Sequence, residues 1–271
     1  MTQEISVALI GAGAMGGALL RGWLKNGVID ASRSAVFDPA ARDATTRFCS
    51  ERGLALYDAP TDMKPDAVVI AIKPQMAATA LPAYAALARD ALVISIMAGQ
   101  SIASIGENLG GRTRIVRTMP NLPAAVGAGI SGLVAGEGVS SEDRALVETL
   151  MRAAGEAVWV ETEEQIDFVT AISGSGPAYF FLLTEALEEA GAALGLAPDI
   201  AARLARAAAV GAGALLENDA RPAAALRKAV TSPGGTTEAA LKILDGDEHL
   251  LRALLKEAAA AAARRARELT D

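Results

Sequence analysis

The chain has one cysteine and one histidine in 271 residues, and aromatic side chains make up only 4% of it. The lone cysteine, Cys49, cannot close an internal disulfide, and no Cys/His cluster has the spacing of metal ligands, so no metal is expected. The same scarcity leaves no Ser–His or Cys–His pair for nucleophilic catalysis. His249 falls at the start of the last amphipathic stretch and reads as a surface or interface residue. Cations are outnumbered: a net charge of −7 argues against nucleic acid or an anionic membrane surface as the partner. No uninterrupted apolar run reaches the ~18 residues of a membrane span. The start, Met1-Thr2-Gln3-Glu4, carries no basic leader. These absences point to a cytoplasmic protein.

What is present is apolar and small. At 52% apolar with few aromatics, Ala, Leu, Val and Gly must supply most of the packing, which suits closely approaching helices. Ile5–Ile10, Ser34–Asp38, Ala67–Ile72 and Ala91–Met97 read as strands, with Arg114–Thr118 and Gly129–Ala135 adding two more. Helical segments such as Ala14–Lys25 separate them, and Pro39 stands where a helix would begin. Alternation of this kind predicts an α/β fold with a doubly wound, Rossmann-like sheet over residues 1–160. Beyond a polar break at Glu161-Thr162-Glu163-Glu164, residues 161–271 read as all helix. Tyr179–Leu194 is apolar nearly all round, and a helix of that kind must be buried on every side. A small domain has little room for it, so a partner subunit is expected to cover part of it.

Gly11-Ala12-Gly13-Ala14-Met15-Gly16 lies between the first strand and the first helix. There Gly11 permits a tight turn, Gly13 lets backbone approach a pyrophosphate, and Gly16 lets helix and strand pack closely. Free N–H groups at the helix start then hold phosphate. Asp38 ends the second strand, where an acid bonds the adenosine ribose and favours NADH over NADPH; it could equally cap the next helix. Arg42, one turn on, is within reach of a 2′-phosphate, so either cofactor remains open. Ala71-Ile72-Lys73-Pro74 and Met97-Ala98-Gly99-Gln100 end strands at the carboxyl edge of the sheet, where open α/β folds bind ligands. Lys73 is either a ribose ligand or a solvated lysine. Asn121, in the rigid Met119-Pro120-Asn121-Leu122-Pro123 turn, is either a pocket group or purely structural.

Near the end, Ser232-Pro233-Gly234-Gly235-Thr236-Thr237 leads into a helix running to about Leu244. Glycine backbone freedom, hydroxyls at Ser232 and Thr237, and a helix N-terminus together make either a carboxylate site or a capping loop. A ketone reductase would want a strong general acid, and none stands out. A cyclic imine binds already protonated and accepts hydride at carbon, so a weak donor such as Thr237 suffices to orient its nitrogen. Arg117 and Asp167 read as ion-paired structural charges.

The glycine turn, Ala71–Pro74, Arg117–Asn121, Ser173-Gly174-Ser175-Gly176-Pro177-Ala178-Tyr179 and Ser232–Thr237, in that order, strongly resemble 1-pyrroline-5-carboxylate reductase. The resemblance implies NADPH- or NADH-dependent reduction of 1-pyrroline-5-carboxylate to L-proline, the last step of proline biosynthesis. It implies a helical C-terminal dimerisation domain, in dimers that often assemble into decamers. By position, Ser232 and the Gly234-Gly235-Thr236 backbone would hold the substrate carboxylate and Thr237 would face the imine nitrogen. Met15, Ala71, Lys73, Pro74 and Ala98 would line the cofactor. The alternatives are a reductase of another cyclic imine or of a β-hydroxy acid, and a non-catalytic nucleotide-binding protein. Ser173–Leu194 contains no lysine, which counts against the β-hydroxy-acid class.

Overall fold

In the computed structural model, which describes residues 5–269, eight strands form one sheet among the described residues, in the order β3-β2-β1-β4-β5-β6-β7-β8. They are β1 Val7–Ile10, β2 Ala35–Phe37, β3 Ala55–Tyr57, β4 Ala67–Ile70, β5 Leu92–Ser95, β6 Ile115–Met119, β7 Gly129–Ala135 and β8 Gly155–Trp159. All neighbours run parallel except β6 and β7. The helices are α1 Ala14–Lys25, α2 Asp43–Glu51, α3 Ala77–Ala80, α4 Ile102–Asn108, α5 Ser141–Arg152, α6 Glu163–Val169, α7 Gly176–Ala193, α8 Pro198–Asn218, α9 Ala223–Ala229, α10 Thr236–Asp245 and α11 Leu250–Glu268.

The central strands are covered on both faces because their side chains alternate between two cores. Val7 and Leu9 of β1 join Leu19 and Trp23 of α1 and Val147 and Leu150 of α5. Ala8 and Ile10 join Phe37, Ile70, Leu81 and Ile105 on the other side. β3 and β8 are not apparent from the sequence pattern. β3 is three residues long at one sheet edge, and β8 at the other alternates half-buried with exposed residues, so neither makes an apolar run.

Two compact units result: the chain through Gly174 together with its end from Ala262, and Ser175–Ala261. Within the second unit α7 and α8 pack along each other. Large apolar side chains of this unit nevertheless face outward, among them Phe180, Phe181, Leu182, Leu204 and Val210. Within the helical stretch Glu163–Ala193 an 18-residue window reaches a mean hydropathy of 1.3, enough to cross a membrane by length and composition alone. It contains no uninterrupted apolar run of that length, because acidic residues punctuate it.

Candidate active site

The glycine turn owes its shape to close approaches. Gly11 holds φ at +90°, and a Cβ there would stand 2.8 Å from the Ala71 carbonyl oxygen. A Cβ on Gly16 would lie 2.5 Å from the Gly11 oxygen and 2.9 Å from Ala71 Cβ. Above Gly13 the space is open: a Cβ there meets nothing within 4 Å. Gly13 is the N-cap of α1, with no side-chain cap and no acid in the first turn. The N–H groups at the start of α1 therefore have no side-chain cap, as a bound phosphate requires. A dinucleotide fits this cradle.

Asp38 does not cap a helix. The chain turns after it, Pro39 starts no helix, and α2 begins only at Asp43 with Arg42 as its N-cap. The half-buried carboxylate instead accepts the Ala12 N–H at 2.9 Å and the Ala40 N–H at 3.1 Å, which fastens it to the glycine turn. Burial, and secondarily the Asp38 charge, push the nearby Tyr84 hydroxyl above its ordinary pKa. Ala71 follows β4 and donates its N–H to Ile10 at 2.8 Å, so Ala71, Lys73 and Pro74 leave the sheet beside the turn. Lys73 is exposed, directly before the short helical turn Pro74–Met76. Ala98 lies just beyond β5. Its neighbour Gly99 leaves room for the chain end, since a Cβ there would stand 2.5 Å from the Leu269 oxygen.

Asn121 is buried and both ends of its amide are engaged. Nδ2 donates to the Ser173 carbonyl at 3.1 Å, and Oδ1 accepts the Ile130 N–H at 2.9 Å. It thereby ties the loop after β6 to the π-helical turn Thr170–Gly174. Arg117 and Asp167 are both buried, 3.8 Å apart, and Arg117 also meets Glu163 at 3.3 Å. Burial pushes the Asp167 carboxyl up, against the pull of Arg117. His249 is exposed and meets Asp245 at 3.2 Å.

In the second unit, Ser232–Gly235 form a turn in which Gly235 donates its N–H to the Ser232 carbonyl at 3.0 Å. Gly234 sits at φ +71° and donates its N–H to Glu238 Oε2 at 2.7 Å. Its amide is thus already presented to a carboxylate. Gly235 is the N-cap of α10 and contributes no side chain, so the N–H groups of Thr236 and Thr237 open the helix without a side-chain cap. In the sequence Glu238 is simply part of the Thr236-Thr237-Glu238 helix opening; its position three residues after the N-cap is one from which an acid commonly reaches back. Among the described residues no cluster suited to a metal occurs.

Residues 163–269 match the family described as pyrroline-5-carboxylate reductase dimerisation, and residues 6–99 match NADP oxidoreductase coenzyme F420-dependent. A pyrroline-5-carboxylate reductase of Pseudomonas aeruginosa is 40% identical over 269 residues, covering 98% of this chain and 97% of the relative. The one from Arabidopsis thaliana is 35% identical over 99% of this chain and 97% of its own. Among solved structures, the Coxiella burnetii enzyme superposes with a TM-score of 0.92 at 37% identity, covering 99% of this chain and 100% of that one. The Plasmodium falciparum enzyme with NADP bound gives 0.83 at 27% identity, covering 98% of each chain. With sequence kinship and fold both running over almost its whole length, the chain belongs to the pyrroline-5-carboxylate reductase family.

Proposed function

We infer that the chain reduces 1-pyrroline-5-carboxylate to L-proline, the final step of proline biosynthesis, using a reduced nicotinamide dinucleotide. The observation that carries this is full-length kinship at 40% identity, joined to an open glycine cradle and an outward-facing helix start. When bound, the nicotinamide supplies a hydride. Gly11, Gly13, Ala14, Met15 and Gly16 hold the pyrophosphate, with the first-turn N–H groups of α1 as donors. Asp38 takes the adenosine ribose, and Ala71, Lys73, Pro74 and Ala98 line the rest.

Ser232, Gly234, Gly235 and Thr236 grip the substrate carboxylate. The Glu238 carboxylate on the Gly234 amide supports this, because it is an anion of the same kind on the same donor. Thr237 orients the ring nitrogen. The imine is attacked at carbon while protonated: a C–H bond forms, the π pair moves to nitrogen, and a neutral ring amine results. No strong acid is required for that step, consistent with the lone, exposed histidine. Asn121 holds the surrounding backbone.

The chain self-associates through its C-terminal helices. Residues 1–160 serve the dinucleotide and 161–271 the substrate and the dimer, and such dimers assemble further into decamers. An apolar groove of about 380 Å³ lined by Val158, Phe168 and Ile172 supplies further surface for association. The enzyme works in the cytoplasm on a small molecule, with neither nucleic acid nor membrane as partner. Loss of reduced-nicotinamide absorbance on adding 1-pyrroline-5-carboxylate, with proline as the product, is the test. Absence of turnover with both NADH and NADPH, despite dinucleotide binding, would sink this reading.

A further inference from the structure

We propose that Asp38 makes this chain select NADH over NADPH, by holding a fixed carboxylate where the ribose 2′ position of the dinucleotide lies. The inference rests on the cofactor site described above and concerns its specificity, which the family's kinship leaves undecided. Asp38 stands at the carboxyl end of β2, the position from which an acid bonds the ribose hydroxyls in folds of this type. Position alone does not separate that role from helix capping. The bonding does, because the cap of α2 is Arg42 and the Asp38 carboxylate is turned to the glycine turn.

The same bonds make the carboxylate hard to move. Oδ2 accepts from Ala12, inside the glycine turn, and Oδ1 accepts from Ala40, two residues further along the chain. A side chain free to rotate could swing aside for a 2′-phosphate. This one would surrender two backbone N–H donors to do so. Remaining lone pairs on both oxygens still accept from ribose hydroxyls, since a carboxylate has about four acceptor sites. A 2′-phosphate brings acceptors to an acceptor and adds a charge of about −1.5 to −2. At hydrogen-bonding separation in water, that repulsion corresponds to roughly tenfold in affinity or more. Between Asp38 and Asp43 the only cation is Arg42, exposed on the surface and followed at once by Asp43 in the first turn of α2. An exposed, solvated arginine beside an acid offsets little of the fixed charge.

The test is equilibrium binding of NADH and of NADPH to the full-length protein by calorimetry, with turnover of 1-pyrroline-5-carboxylate recorded separately. The wild type is expected to bind NADH about tenfold more tightly than NADPH. Asp38→Asn keeps a carbonyl acceptor for one backbone N–H and removes the charge; it should tighten NADPH about tenfold while weakening NADH. Because a variant that loses two backbone partners could unfold, wild-type protein is also titrated with 5′-ADP and with 2′,5′-ADP. Weaker binding of the probe bearing the 2′-phosphate supports the assignment without any substitution. Equal or tighter binding of NADPH by the wild type, or an Asp38→Asn variant that folds with an unchanged ratio, overturns it. Failure of turnover with normal binding ratios would instead count against the substrate assignment and leave Asp38's role standing.

Discussion

Replacing Phe181 by glutamate should dissociate the protein. Phe180, Phe181 and Leu182 are consecutive on α7 and are 65%, 61% and 64% exposed in the single chain. Successive helix positions lie about 100° apart, so three of them leave most of the circumference uncovered. A phenylalanine carries 150–250 Å² of surface. Burying the exposed three-fifths of Phe181 against a partner removes roughly 100–150 Å² from water, about 3 kcal/mol at ~25 cal/mol per Å². A two-fold contact uses each residue twice, so the dimer loses about 6 kcal/mol, or some four decades in dissociation constant. Glutamate adds the cost of taking a charge out of water. Sedimentation velocity at micromolar concentration should therefore give a monomer for Phe181→Glu and retain the wild-type assembly for Phe181→Leu. A Phe181→Glu variant that sediments as the wild type does would refute the assignment of this face to self-association.

Gly16→Ala places a methyl group 2.5 Å from the Gly11 oxygen; overpacking of this kind typically costs 1–3 kcal/mol, and the opened turn should lose NADH affinity at least about tenfold, read by calorimetry alongside a thermal melt. Thr237→Ala should lower kcat on 1-pyrroline-5-carboxylate while leaving the dinucleotide dissociation constant unchanged; full turnover would remove Thr237 from the site. Arg114 donates to both oxygens of buried Asp143, at 2.9 and 2.5 Å, and holds that carboxyl below its ordinary pKa. A depressed carboxylate stabilises the fold above its unfolded pKa of about 4 and loses that contribution as pH falls through the folded value. Arg114→Ala should thus cost about 2 kcal/mol in urea unfolding at pH 7 and visibly less near pH 3; a gap that does not narrow on acidification would contradict the ion pair.

Much of this molecule was legible in its sequence because the signals are local. Ala14–Lys25 is the expected helix residue for residue, and β7 is the expected Gly129–Ala135. Apolar runs such as Ala67–Ile70 mark strands covered on both faces, whatever lies against them. The glycine turn follows from its place between strand and helix, and the last loop from turn residues ahead of a helical period. Legibility failed where no apolar run existed, as at β3 and β8, whose exposed edges demand no continuous hydrophobic pattern.

Sequence alone established the class of fold and the local form of the glycine turn and of the Ser232–Thr237 loop, since backbone freedom, periodicity and helix starts are properties of neighbouring residues. Only tertiary structure could decide what Asp38 and Asn121 bond to. Asp38 meets Ala12 from 26 positions away, and Asn121 meets Ser173 from 52. Each can bond locally or across the fold with similar energy. The choice falls to whichever partner the sheet brings within 3 Å or so. The tertiary structure likewise revealed which apolar helix faces the single chain leaves uncovered, because exposure depends on what packs against a residue and not on its own identity.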